Sequence, residues 1–173
     1  PPAAAKTEKP VMLAREEVQY LAMCIVDLLH EVPLDRMDRY IQHGDTSCLR
    51  HCVAVAYLSF LLSRRLRLRC DARSLIRGAM LHDFFLYDWH EKDAGHPLHG
   101  FTHPATALRN AQRFLALNPT ERDIIRRHMW PLTPVPPHCR EAWLVCLADK
   151  ICSARETLRL RPYPFFPLYK TSC

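Results

Sequence analysis

The residues best suited to chemistry are Leu81-His82-Asp83, at the end of the stretch 74–81. An imidazole beside a carboxylate offers a neutral nitrogen and a hard oxygen to one point in space. Fe, Mn, Co, Ni and Zn accept that mixture. A single His-Asp pair is weak evidence, because such pairs arise by chance. Its weight comes from His51 upstream and from His103, His128 and Asp149 downstream, each at the end of, or inside, a segment that reads as helix. Taken alone, His51 reads as a core histidine bonded to backbone. Asp149 sits in the middle of an apolar helix, and a buried unpaired carboxylate costs several kcal/mol. A metal ion neutralises it more economically than a salt bridge would.

The elements that must position these residues are helices. Apolar side chains at Val18, Leu21, Ala22, Ile25, Leu28 and Leu29 recur every three or four residues, so 15–30 is expected to be helical. Pro33 ends it, and a short helix follows over 34–40. The stretch 42–47, with its glycine and small polar residues, reads as a loop. Thr46 or Ser47 caps a helix over 48–66, which puts His51 on the face of Val55, toward the core. Arg64 to Arg69 reads as a solvated basic face, with phosphate binding as the alternative. Asp71 caps a helix over 72–86 that delivers His82 and Asp83 near its end.

The stretch 87–99 has no apolar period and reads as a loop over the mouth of a site, touching substrate or solvent and ligating no metal. Thr102 or His103 caps the next helix, with Pro104 at its first position, where the missing N–H costs nothing. His103 would then stand at a helix N-terminus, whose dipole favours the neutral imidazole. Thr120 to Asp123 resembles a capping box opening a helix over 121–129 that ends in His128. The prolines of 130–137 form a stiff loop, either a pocket wall or a plain linker. The last helix, 140–158, is apolar nearly all round and is expected to be central.

A chain of 173 residues fits one domain with a real core. At 49% apolar and 24% charged it has the balance of a soluble globular protein, and four glycines favour an all-α fold. No apolar run approaches the roughly 20 residues of a membrane span, so no membrane partner is expected. The net charge of +6 suits anionic ligands but is spread along the chain, and nucleic acid is not an expected partner. The eight cysteines form no Cys-x-x-Cys pair and several fall on apolar helix faces, which points to free thiols in a reducing cytoplasm rather than a disulfide framework or a sulfur-rich zinc site. Residues 1–12 read as a flexible or appended tail and 13–160 as the domain. The proline- and aromatic-rich 161–173 reads as an extended tail that packs on the body or on another subunit, which leaves a homodimer open.

The order His51, His82-Asp83, His103, His128, Asp149 resembles the HD-domain metal-dependent phosphohydrolase superfamily, over roughly residues 43–158. Ala148-Asp149-Lys150 is similar to the family's closing motif. The runs Leu81-His-Asp-Phe-Phe-Leu-Tyr-Asp-Trp-His-Glu-Lys-Asp93 and His99-Gly-Phe-Thr-His-Pro104 resemble small bacterial single-domain members. The resemblance implies a helical bundle of about six to eight helices and two divalent cations, iron or manganese favoured among Fe, Mn, Co, Ni and Zn. His51, His82, Asp83 and Asp149 would hold one cation. His103 and His128 would hold the other, with Asp83 bridging. A bridged hydroxide would then hydrolyse a small phosphorylated substrate. Asp83 and Lys150 are the expected catalytic residues, Lys150 stabilising phosphate charge. Lys92, Arg127 and Arg77 are the weaker expected substrate contacts. A Gly-Tyr-Pro motif of cyclic-dinucleotide phosphodiesterases is missing. A di-iron oxygenase with the same ligand set and a non-catalytic metal-binding regulatory domain are the alternatives.

Overall fold

Capping chemistry and the spacing of apolar side chains account for most of the secondary structure. The computed structural model describes residues 12–90 and 98–160. Helix α1, Arg15–Glu31, buries Leu21, Cys24, Ile25 and Leu28, one stripe at three- and four-residue spacing. A 3-10 helix, Leu34–Arg39, follows and buries Leu34 and Met37. The chain then forms two short antiparallel strands, β1 (Ile41–His43) and β2 (Thr46–Ser47). Gly44 makes the turn between them with a left-handed φ of 59°. This hairpin replaces the loop expected over 42–47. Strands of three and two residues are too short for an alternating pattern to show in sequence.

Helix α2, Cys48–Arg65, starts on Ser47, whose hydroxyl accepts from the Arg50 N–H at 3.4 Å. Nearly every residue from Cys48 to Leu61 is buried, and the helix packs on both α3 and α6. The central helix is therefore α2. Helix α6, Arg140–Thr157, was expected in that place, but it presents Trp143 (42% exposed), Leu147 (50%) and Ile151 (36%) to solvent along one side. The apolar character of α6 is genuine, and only half of it faces the core.

Helix α3, Ala72–Leu81, is capped by Asp71, which accepts from the N–H groups of Arg73 and Ser74 at 3.1 and 3.2 Å. It stops five residues short of the expected end. Tight turns, Phe84 N–H to Leu81 carbonyl and Phe85 N–H to Asp83 carbonyl, take over, while Phe84 and Phe85 stay buried. Their burial had extended the apparent apolar period beyond the helix. Helix α4, His99–Gln112, begins earlier than expected and carries Pro104 inside it. His103 is thus in the second turn, not at the N-terminus, and Pro104 forgoes one hydrogen bond to the Gly100 carbonyl. Helix α5, Pro119–Arg127, is capped by Asn118 rather than Thr120, with Pro119 in the first turn and a reciprocal bond from Glu121.

Helices α3 and α6 flank α2, α5 packs on α3 and α6, and α4 packs on α5. The result is an all-α, single-domain bundle with a two-strand hairpin at one end. Among the described residues the cysteines are free thiols, five of them buried. No helix is long and apolar enough to cross a membrane.

Candidate metal centre

The bundle brings the six expected ligands to one place. His51 comes from the first turns of α2, His82 and Asp83 from the turn after α3, and His103 from the second turn of α4. His128 follows α5 directly, and Asp149 is in the middle of α6. His51, His82 and His128 are at most 1% exposed, Asp83 2%, His103 3% and Asp149 7%.

Each histidine turns the same nitrogen inward. The outer nitrogen, Nδ1, is held by an acceptor: His51 by Glu156 Oε2 at 2.8 Å, His82 by the Ala79 carbonyl at 2.7 Å, His103 by the His99 carbonyl at 2.8 Å, and His128 by the Ile125 carbonyl at 2.9 Å. Carbonyls and carboxylates only accept, so each Nδ1 carries a hydrogen, and Nε2 is the nitrogen left to ligate once it is deprotonated. Metal-binding histidines are oriented in this way.

Those nitrogens converge with the carboxylates. His51 Nε2 lies 3.1 Å from Asp149 Oδ1 and 3.8 Å from Asp83 Oδ2. His82 Nε2 lies 3.4 Å from Asp83 Oδ2 and 3.8 Å from Asp149 Oδ1. On the other side, Asp83 Oδ1 lies 3.2 Å from His103 Nε2 and 3.6 Å from His128 Nε2. The two Nε2 atoms of His103 and His128 face each other at 2.9 Å. Among the described residues, His82 Nε2 and Asp83 Oδ1 make no hydrogen bond at all. Two groups of ligand atoms fall within 4.8 Å of one another: His51, His82 and Asp149, and His82, Asp83 and His128. His82 thus stands between the two groups rather than in one alone. A divalent cation fits this donor set of nitrogens and hard oxygens.

The electrostatics agree with the geometry. Burial works against charge on His51, but its hydrogen bonds to Asp149 and Glu156 hold its pKa well above the usual value. Burial opposes charge on His82 too, and the Asp83 carboxylate overcomes it. Burial alone would raise Asp83 and Asp149. The positive His82 and the nearby His103 pull Asp83 down, and the His51 bond pulls Asp149 well below the carboxylate range. His128 is pushed down to about 3, by burial first and then by the charges on His82 and His103. It stays neutral, ready to ligate.

A cavity of about 700 Å³ opens onto the centre. Asp83, His103, His128 and Asp149 form its floor, and Lys150, Met129, Pro131 and Leu132 line one side. The proline loop therefore supplies a wall. Lys150 reaches the cavity, but its ammonium donates to the His128 carbonyl at 3.0 Å and to the Cys146 carbonyl at 3.3 Å. Trp89 lies flat on His99, with ring centres 5.2 Å apart and planes at 10°, and His99 stacks in turn on His103. His90 is exposed and bonds to Asp88.

Two expected substrate contacts lie elsewhere. Arg77 binds Glu121 at 2.6 Å and lines a groove with Glu31, Asp71 and Asn118. Arg127 binds Asp123 at 2.7 Å on a surface shared with Arg122 and Arg126. Lys92 lies outside the described residues, as do His96 and most of both expected tails.

Three residues at the centre were not anticipated. Gln42 Nε2 donates to Asp83 Oδ2 at 2.6 Å. His43 lines the cavity beside Gln42, and burial lowers its pKa. Glu156 orients His51. Glu156 carried a usable signal: it follows Asp149 by seven residues, two helical turns along the same face. Gln42 and His43 carried none, because the hairpin that aims them was unseen. No family model, curated protein or solved structure matches the chain.

Proposed function

We propose that the protein is a metal-dependent phosphohydrolase of the HD type, cleaving a small phosphoester: a phosphomonoester, nucleotide or cyclic nucleotide. The reading rests above all on the divided carboxylate of Asp83, with Oδ2 facing His82 at 3.4 Å and Oδ1 facing His103 at 3.2 Å. A carboxylate serving one cation has no use for histidines on both sides. His51, His82 and Asp149 would hold one divalent cation, His103 and His128 a second, and Asp83 both, with iron or manganese favoured. When bound, such cations supply Lewis acidity, polarising a phosphoryl oxygen and lowering the pKa of water toward neutral.

The chain's own residues do the rest. The outer bonds of the four histidines fix the ligands before substrate arrives, so no reorganisation is needed. Lys150 is the proposed countercharge for the phosphate, exchanging its bond to the His128 carbonyl for one to the ligand. Trp89, Met129 and Leu132 give an apolar wall for the organic part and keep bulk water out.

The test is phosphate release from a panel of nucleotides and sugar phosphates, with Mn, Fe, Co and Ni supplied in turn. Turnover that is lost with chelator and in Asp83→Ala is the expected result. Full metal occupancy with no phosphate released from any substrate would sink the reading. Oxygen consumption in place of phosphate release would assign the oxidative alternative.

A further inference from the structure

The hairpin does more than reverse the chain. Gln42, on β1, is 6% exposed, and its side-chain amide donates to Asp83 Oδ2 at 2.6 Å. The amide fits only this way round, since flipped it would set its oxygen against a carboxylate. Among the described residues its own Oε1 has no partner. A buried acceptor left unmade costs about 1–3 kcal/mol. A methionine of similar length would fill the space without that cost, so packing does not explain the amide. Its bond to Asp83 does. The terminal torsion of an aspartate is broad, and a carboxylate held at neither oxygen can swing. With Oδ2 held by Gln42, the plane is set and Oδ1 is turned to His103 and His128.

We propose that Gln42 is a positioning residue that controls occupancy of the second cation site, and that the β1–β2 hairpin is the device that holds it in place. This rests on the two-cation reading above. The asymmetry follows from the ligands. If Asp83 swings, the first site keeps His51, His82 and Asp149, whereas the second keeps only His103 and His128. Loss of an outer partner of a ligand typically weakens metal binding about 10–100-fold. The hairpin is well fixed for this task. A Cβ on Gly44 would lie 2.9 Å from the Glu156 carbonyl oxygen, so the turn packs tightly on the last turn of α6. The Cys48 N–H bonds the Tyr40 carbonyl at 2.8 Å, and the Ser47 hydroxyl bonds Asp38. Glu156, under the turn, is also the residue that orients His51.

The experiment is calorimetric titration of Mn²⁺ into the metal-free full chain, wild type against Gln42→Met and Gly44→Ala, with folding checked by near-UV circular dichroism. In Gln42→Met the second Mn²⁺ is expected to bind about 10–100-fold more weakly, with a smaller loss at the first, which keeps three other ligands. Gly44→Ala should shift the second site in the same direction, because the turn can no longer seat. In a His103→Ala background, which lacks the second site, Gln42→Met should cost the first site no more than that smaller loss, whereas a merely structural role would weaken it as much as the second. Unchanged second-site binding in folded Gln42→Met, or equal loss at both sites, overturns the inference and leaves the two-cation reading standing. A wild-type chain that takes up no second Mn²⁺ overturns both.

Discussion

Two polar clusters in this molecule hold shielded charged side chains, Arg77 with Glu121 and Asp83 with its histidines, and they follow opposite rules. Around Arg77, donors meet acceptors. Its Nε lies 2.6 Å from Glu121 Oε1, Glu121 Oε2 accepts from the Asn118 N–H at 2.9 Å, Asn118 donates to Ser74 at 2.8 Å, and Ser74 donates to Asp71 at 2.5 Å. The same side chains cap α3 and α5. Charge is matched, and the network closes on itself. Around Asp83, like atoms face each other: two imidazole nitrogens at 2.9 Å, and a carboxylate oxygen with no hydrogen bond among the described residues. Burial of charge is therefore no sign of function by itself. Burial that stays unmatched until an ion arrives is such a sign.

Breaking each cluster should separate them. The largest effect is expected from Asp83→Ala, which removes the ligand proposed to be common to two cations; elemental analysis should find both lost, and retention of two metals would show the shared assignment to be wrong. His103→Ala and His128→Ala should each lose the second metal and keep the first, whereas equal loss would argue for one site. On the other side of the comparison, Glu121→Ala leaves the Arg77 guanidinium, whose side chain is 11% exposed, facing the more exposed Glu31 carboxylate at 3.6 Å. Urea denaturation should show a loss of about 3 kcal/mol, with metal content unchanged. A fall in metal content would mean that the two clusters are coupled.

Metal removal and pH sharpen the same contrast. Mn²⁺ at a hundred times its dissociation constant should stabilise the fold by about 2.7 kcal/mol over the chelated protein. In the metal-free protein His51 and His82 have raised pKa values. Their stabilising contribution is present below the unfolded histidine pKa and is lost as pH rises through the folded one. A bound cation must displace those protons. The gap in melting temperature between Mn²⁺-loaded and chelated protein should therefore widen from pH 6 to pH 8, and a gap that narrows would place the cation elsewhere. His128, with a pKa of about 3, contributes nothing to that window.

Much of this was legible in the chain. The caps at Ser47 and Asp71 and the stripe of α1 could be read because each depends on neighbours a few residues away, and the six residues of the centre were read from their order along the chain and the family it resembles. Errors arose where a local pattern had a non-local cause. Phe84 and Phe85 continued a helical period that the backbone had already left, their burial coming from packing by α4: the ring of Phe84 lies 6.1 Å from that of Phe114 just past its end, and the Asn110 side chain bonds the Phe84 carbonyl. Pro104 looked like a first helical residue because prolines favour that position, yet helix α4 begins five residues before it. Arg77 and Arg127 looked available to substrate because a sequence does not show which carboxylate an arginine meets.

Residue type and spacing by themselves settled that the chain is helical, and that imidazoles and carboxylates capable of ligating a metal lie at helix ends and in one apolar helix. Local propensity and short-range periodicity carry that information. Only the tertiary structure decided that Asp83 divides its oxygens between two pairs of histidines, that Gln42 bonds one of those oxygens, and that Arg77 already meets Glu121. These are matters of ångströms between segments distant in sequence, and they are set by how the bundle packs.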